Sequence, residues 1–447
     1  MNIAIEIGPL LTASGWFGDK SGVYRYMYDL IDELSTTLKE KDKNAKIILF
    51  SFNRDLLKFP INPEILRLLS YSNITIIDTI PSLPSKDLFD IRLFKIPAVK
   101  LLLKILDNIF KFSNLYFKYR NDKRFQRYIE FLKNEFIKEK IKIVFHSETG
   151  FHPVKGFLNV ITIYDLTSLL MPEFHREQTV DLQKRKIKFT EKYCEGIICI
   201  SNSTKKDLLK LPGFAHKNIT VIYPGLGSTF QASQNQSNKK ILFSDINTIL
   251  QHHKNKVIRK KYLLYYGTFE PRKNLTYLVK AFADLQKSNE IPNDYKLILM
   301  GGEGWGNIKN NIRNFVKENF PIHEKNNIII LDYLSDEYIC EFIKNASAVV
   351  YPSLYEGFGL PVLESMALGT PVICSKISSL PEVGGNAVLF LDPNSFNDLR
   401  EKIKHLVNTP QLRQELAKKG LEQSKRFNWN QSGNDLYNFL KSLRANA

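Results

Sequence analysis

Two glutamates, Glu356 and Glu364, bracket a glycine loop in the string Ser353-Leu354-Tyr355-Glu356-Gly357-Phe358-Gly359-Leu360-Pro361-Val362-Leu363-Glu364. The apolar run ahead of it, Ala348-Val349-Val350-Tyr351, reads as a buried strand. Pro352 and the glycines then break regular structure. Pro361 suits the first turn of a helix, where a missing N–H costs nothing. That helix runs to about Leu368, with Gly369 at its C-terminal end. At the start of such a helix the free N–H groups of Gly359 and Leu360 point outward, and the helix dipole favours an anion. Two carboxylates would flank a phosphate-binding amide cluster. A nucleotide sugar needs those partners: donors for its diphosphate, acceptors for the hydroxyls of sugar and ribose. The plain alternative is an ordinary strand-to-helix turn with two solvated glutamates, because glycine-rich turns are common.

A second block points the same way. Tyr262-Leu263-Leu264-Tyr265-Tyr266 reads as a strand, and Gly267-Thr268-Phe269-Glu270-Pro271-Arg272-Lys273-Asn274-Leu275 follows it. The spacing puts two cations on the loop after that strand. A leaving nucleoside diphosphate gathers negative charge in the transition state and needs fixed positive charge to meet it. Arginine grips phosphate with two parallel hydrogen bonds, and lysine acts as a point charge.

Both strings resemble motifs of the retaining glycosyltransferases of family 4, which have the GT-B fold. The first reproduces the family's P-S-x-x-E-G-F-G-L-P-x-x-E context around Glu-x7-Glu. The second is similar to its G-T-x-E-P-R-K-N motif. The resemblance implies two Rossmann-like α/β domains facing each other across a cleft, with a last helix crossing back to the first domain. It further implies catalytic roles for Glu356, Arg272 and Lys273. Glu364, Gly359, Leu360, Phe358, Gly22, Tyr164, Asp165 and Tyr333 become donor-binding residues. No Asp-x-Asp motif occurs, so no metal and no cofactor is expected; the nucleotide sugar is a co-substrate.

The elements that must position these groups alternate between apolar runs and helical patterns. Strand candidates are 2–7, 46–51, 74–78, 141–146, 158–164, 196–200 and 219–223 in the first half. In the second they are 262–266, 295–300, 327–331, 348–351, 371–374 and 387–391. Alternation of this kind implies parallel sheets covered on both faces. The expected division is 1–225, an acceptor-binding domain; 226–261, a polar linker; 262–430, a nucleotide-sugar domain; and 431–447, the crossover helix.

After the first strand, the segment 8–22 carries Gly8, Gly15, Gly18 and Gly22 without GxGxxG spacing, and a helix from Val23 to Leu34 follows. Tyr164-Asp165-Leu166 opens a segment similar to the family's H-D-L-x-x-L-x-x-P-E-x-H pattern, with Tyr164 standing where the family usually has histidine. Asp165 suits either a hydroxyl or a structural cap. His146 and His175 read first as structural residues, and Ser201 or Ser203 as a helix N-cap. Gly301-Gly302-Glu303-Gly304-Trp305-Gly306 follows a strand and is expected near the nucleotide, as is Asp332-Tyr333-Leu334.

Composition sets the outer bounds. The chain has 447 residues, 43% hydrophobic, so it is globular and long enough for two or three domains. Cys194, Cys199, Cys340 and Cys374 form no CxxC pair, and buried free thiols in a reducing compartment are expected. The N-terminus reads as a strand and not as a signal peptide, and no run of 18 apolar residues is present. The formal net charge is +17, which implies an acidic partner. Residues 92–144 hold fourteen Lys and Arg against five Asp and Glu, a net +9. Within them Lys100, Lys104, Lys111 and Lys118 fall within about 40° on a helical wheel. That pattern suits an anionic membrane surface, or equally a core-packed helix with a solvated lysine face.

The reading is a transferase of a hexose, mannose from GDP-mannose by analogy, onto a glycan or lipid-linked acceptor in cell-surface polysaccharide synthesis. It places the chain in the cytoplasm, on the inner face of the plasma membrane if 92–144 binds lipid, with no nucleic acid partner. A UDP-sugar donor is the alternative within the class. Outside it stand a non-catalytic basic protein binding nucleic acid or anionic membrane, and a sugar-nucleotide epimerase.

Overall fold

The computed structural model describes residues 1–13, 22–53, 56, 63–77, 123–234, 241–252, 257–319 and 327–445. The first sheet holds β1 (Asn2–Glu6), β2 (Ile47–Phe50), β3 (Ile74–Ile76), β4 (Ile141–His146), β5 (Leu158–Ile163), β6 (Gly196–Cys199) and β7 (Asn218–Val221). The second holds β8 (Tyr262–Tyr266), β9 (Lys296–Met300), β10 (Ile328–Leu331), β11 (Ala348–Tyr351), β12 (Val372–Ser375) and β13 (Leu389–Leu391). Each strand falls within one residue or two of a run picked out by its apolar character. Each pairs in parallel with its neighbours, for instance Tyr265 with Leu299 and Ile5 with Leu49. Strands buried on both faces need continuous apolar sequence, and for that reason they were visible.

The strand orders are β3-β2-β1-β4-β5-β6-β7 and β10-β9-β8-β11-β12-β13. In each sheet the order reverses beside the first strand of that domain. Crevices form at such switch points, outside the carboxyl ends of the strands. In the second sheet the switch lies between β8 and β11, the two strands that lead into the Arg272 and Glu356 loops.

The helix after Gly22 runs longer than expected, from Gly22 to Lys41, and the last helix spans Trp429 to Ala445. The last helix packs on the Gly22 helix of the first domain; there Ser432 Oγ donates to Tyr223 O at 2.6 Å. Residues 226–261, expected as a polar linker, carry the helices Ser228–Gln234 and Phe243–His252. Phe230, Ile246 and Leu250 are fully buried or nearly so, and Gln234 Nε2 donates to Ala367 O at 2.8 Å. Among the described residues of this stretch, exposed polar positions such as Ser228 and Gln231 share a helix with buried Phe230. The four cysteines are buried free thiols. Among the described residues no helix is long and apolar enough to cross a membrane. Lys100, Lys104, Lys111 and Lys118 lie outside the described residues, as do 92–122 as a whole.

Candidate active site at the domain seam

The loop after β11 ends at Gly359, which caps the helix Leu360–Ala367 with φ 109°. Only glycine takes that conformation readily, and an added Cβ would meet Leu380 Cδ2 at 2.7 Å. At Gly357 a Cβ would stand 2.4 Å from Tyr164 O of the first domain. The second glycine therefore lets the two domains touch at the loop. Ser379 Oγ donates to Glu356 O at 2.9 Å and to Phe358 O at 2.7 Å, and Ser378 Oγ accepts from Glu356 N at 2.9 Å. The loop is thus fixed by its backbone. Gly359 O accepts the first helical N–H groups, those of Val362 and Leu363. The amides of Gly359 and Leu360 precede the helical ladder, as the start of any helix requires.

Pro271–Lys273 forms a single 3₁₀ turn after β8. It presents Lys273 Nζ to Glu356 Oε1 at 2.7 Å and to Tyr351 Oη at 2.9 Å. Arg272 Nη1 donates to Glu356 Oε2 at 3.1 Å and to Tyr355 O at 3.0 Å. Arg272 Nε stands 2.9 Å from Glu270 Oε2, though the angle falls short of a hydrogen bond. The sequence suggested two cations waiting for an anion. The structure instead matches Arg272 and Lys273 with Glu356 and Glu270, because unpaired charges at this depth are too costly. Burial alone would raise the Glu356 carboxyl, but Lys273 and Arg272 outweigh it and hold it down at about 2. Burial pulls Lys273 below the usual lysine range, and the Arg272 guanidinium adds to that against the pull of Glu356. Glu356 is therefore an ionised acceptor at any working pH.

Glu364 is 2% exposed and carries a second charged group that sequence reasoning missed. Arg25 of the first domain reaches across to Glu364 Oε1 at 3.0 Å and to Asp336 Oδ1 at 2.5 Å. Tyr266 Oη lies 2.9 Å from both Glu364 Oε2 and Pro361 O. Burial raises the Glu364 carboxyl, opposed by Arg25. Burial would lower Arg25, and Glu364 and Asp336 together raise it instead. The one signal available was a lone cation in the aromatic run Val23-Tyr24-Arg25-Tyr26-Met27-Tyr28.

A cavity of about 350 Å³ joins these groups. Its lining includes all eleven residues selected from sequence: Glu356, Arg272, Lys273, Glu364, Gly359, Leu360, Phe358, Gly22, Tyr164, Asp165 and Tyr333. They do not all present a side chain to it in the same way. Phe358 is 3% exposed and its ring packs on Tyr223 and Phe427. Asp165 Oδ1 accepts from Thr167 N, two residues on, at 3.0 Å. The Tyr164 ring stacks edge-on against Tyr26. At Gly22 an added Cβ would meet, among the described residues, Leu360 Cδ1 at 3.9 Å, an ordinary contact. Tyr333 is 44% exposed at the rim. His146 lies outside the cavity, bonded to Asn159 at 2.9 Å, and burial lowers it to about 4. Ser201 caps its helix through Thr204 N. Gly301 and Gly302 line the cavity, while Glu303 to Gly306 turn away from it.

Two facing parallel-sheet domains, with the charged groups at the switch point of the second sheet, are the arrangement of the GT-B fold. Residues 248–423 match the sequence profile of glycosyl transferases group 1. It is 28% identical over 302 residues to O-antigen chain mannosyltransferase B of Escherichia coli, a match covering 67% of this chain and 74% of that one. It is 25% identical over 236 residues to the serotype-specific mannosyltransferase WbdA of Escherichia coli, covering 53% of this chain and 27% of the relative. The second match thus spans about a quarter of that relative's length. In fold it is similar to the sucrose-phosphate synthase of Thermosynechococcus elongatus, with TM-score 0.63 at 18% identity over 100% of both chains. The Anabaena protein HepE in complex with UDP and glucose gives TM-score 0.63 at 15% identity, over 99% of this chain and 100% of that one.

Proposed function

We propose that the chain transfers a hexose, mannose from GDP-mannose, with retention of configuration, onto a glycan or lipid-linked acceptor in cell-surface polysaccharide synthesis. The observation that carries this reading is the buried array of Arg272, Lys273 and Glu356 facing the helix start at Gly359 and Leu360, in one cavity. The choice of mannose rests on the similarity to mannosyltransferases.

In this account the donor diphosphate lies between the Arg272 and Lys273 cations and the two amides, which meet the charge that grows as the glycosidic bond breaks. Glu356 accepts hydrogen bonds from hydroxyls of the transferred hexose. Glu364, oriented by Arg25 and Tyr266, accepts from the ribose. The acceptor hydroxyl attacks on the face the leaving group departs from, and the leaving phosphate takes its proton. No separate base is needed, and the paired-carboxylate scheme of glycosidases does not apply, although both reactions pass through oxocarbenium-like states. Binding to anionic membrane through 92–144 belongs to the same proposal and is checked by flotation with vesicles containing phosphatidylglycerol.

The test is product analysis. Purified protein given GDP-mannose and a lipid-linked glycan acceptor should release GDP and form an α-mannoside, read by NMR of the new anomeric proton. Turnover with UDP-sugars and none with GDP-mannose would keep the transferase and discard mannose. Interconversion of the sugar nucleotide without acceptor would replace transfer by epimerisation.

A further inference from the structure

The Glu356 loop is held from both domains at once. On its own side, Ser378 and Ser379 fix the backbone of Glu356 and Phe358. The helix Leu380–Gly384 starts directly after those serines, and its Glu382 reaches across the seam to the first domain. Glu382 Oε1 accepts from Ser203 N at 2.9 Å, and Oε2 accepts from Asn202 N and from Tyr223 Oη, each at 3.0 Å. Asn202 and Ser203 open the helix Asn202–Leu209. First-turn amides have no partner within their own helix, and the dipole there favours a carboxylate. Ser201 Oγ accepts from the amide of Thr204, and the other domain supplies the rest of the cap.

The same helix reaches the loop a second time. Asp207 Oδ2 accepts from Tyr355 Oη at 2.7 Å, and both residues are buried. A hydrogen bond to a carboxylate is of the stronger kind. The carbonyl of Tyr355 accepts from Arg272 Nη1 at 3.0 Å. Tyr355 therefore carries the hold of the first domain on to the Arg272 guanidinium, as Glu382 carries it through Ser379 to Glu356. Between these contacts Thr204 Oγ1 stands 3.4 Å from Gly357 O. One helix thus meets the loop on both flanks of Glu356, at Tyr355 and at Gly357, and also meets the short helix whose preceding serines hold it.

We propose that the helix Asn202–Leu209 positions the catalytic groups: Glu382 and Tyr355 are positioning residues that set Glu356 and Arg272 when the two domains are docked. The proposal rests on the reading of the chain as a transferase. Glu382, Tyr355 and Asp207 all lie outside the lining of the 350 Å³ cavity, so they act through Glu356 and Arg272 and not on a substrate. Groups that stabilise a transition state work by being preorganised, and a displacement of about 1 Å costs a rate factor on the order of a hundred. Loosening either contact should therefore lower kcat more than it raises the donor KM.

The test pairs two measurements on the full chain. One is hydrogen exchange at the amides of 354–359, read by mass spectrometry. The other is GDP release from GDP-mannose with a lipid-linked glycan acceptor. Glu382→Ala and Tyr355→Phe should each speed exchange in that loop about tenfold, because the loop opens more readily. Each should lower kcat about tenfold or more, while the donor KM moves by no more than about threefold. Glu382→Gln keeps one acceptor oxygen and should lose less than Glu382→Ala. Ser432→Ala removes a seam hydrogen bond elsewhere, to Tyr223 O, and should change neither readout. Wild-type loop exchange in both Glu382→Ala and Tyr355→Phe overturns the proposal, as does wild-type kcat in both. So does an equal fall in Ser432→Ala, which would assign the effect to domain docking in general. If wild type moves no hexose from any nucleotide sugar, the transferase reading falls, and loop exchange alone decides whether the helix sets the loop.

Discussion

Arg25 and Glu364 stand on opposite domains and meet at 3.0 Å, with the Glu364 side chain 3% exposed and that of Arg25 22%. The pair ties the Gly22 helix to the helix that begins at the Gly359 cap. It also fixes one Glu364 oxygen beside the 350 Å³ cavity, leaving Tyr266 to hold the other.

Arg25→Ala removes one partner of a buried pair and leaves the Glu364 charge inside. Breaking such a pair costs on the order of 3 kcal/mol. Urea unfolding of Arg25→Ala should show a loss of that order, and Arg25→Ala with Glu364→Gln should recover much of it. A single variant as stable as wild type would mean that the pair does not hold the seam.

Lys273 and Arg272 are assigned to charge that develops as the donor breaks. Lys273→Ala should therefore lower kcat by a factor on the order of a hundred or more, as loss of one preorganised donor does elsewhere. Arg272→Lys should not rescue, because a lysine cannot bond Glu356 and Tyr355 O from one planar group. A change confined to KM in Lys273→Ala would count against a transition-state role.

The same two cations are read as replacing a divalent metal. Protein washed with EDTA should keep its rate, and added Mg²⁺ should leave it unchanged. Loss under EDTA that Mg²⁺ restores would contradict this.

Glu6, at the carboxyl end of β1, gives a prediction about pH. It is 1% exposed and accepts from Ser51 Oγ at 3.1 Å and from Ser147. Burial raises its carboxyl from 4.5 to about 7, against those hydrogen bonds. The folded chain thus holds this proton more tightly than the unfolded one. The stability it contributes is full below about pH 4.5 and is lost as pH rises through 7. Glu6→Gln should flatten the stability curve in that window by about 3 kcal/mol, since each pKa unit is worth about 1.4 kcal/mol. Parallel curves for the two proteins would refute the assignment.

The parallel strands and the two motif loops were legible because each is local. A strand buried on both faces shows as an apolar run, and a glycine cap followed by proline shows as a helix start. What escaped notice depends on docking between distant parts. Arg25 meets a partner 339 positions away, and nothing near it in sequence announces that contact. Glu270 was part of a motif read only for its cations, yet it helps balance them. Within 226–261, read as a polar linker, the helices Ser228–Gln234 and Phe243–His252 were not legible, because their few buried positions, Phe230, Ile246 and Leu250, are spread among polar ones. Trp305 was expected beside the nucleotide from its position after a strand, but the tight approach of Gly304 to Phe269 turns it toward the first domain.

The most direct test of the central claim, a nucleotide-sugar site at Arg272, Lys273 and Glu356, is thermal stabilisation by GDP, UDP, ADP and their sugars, with Lys273→Ala measured alongside. At 100 times its Kd a ligand adds roughly 2.7 kcal/mol of stability. The account predicts selective stabilisation by GDP and GDP-mannose that Lys273→Ala loses. Equal stabilisation of wild type and Lys273→Ala, or no response to any nucleotide, would contradict it.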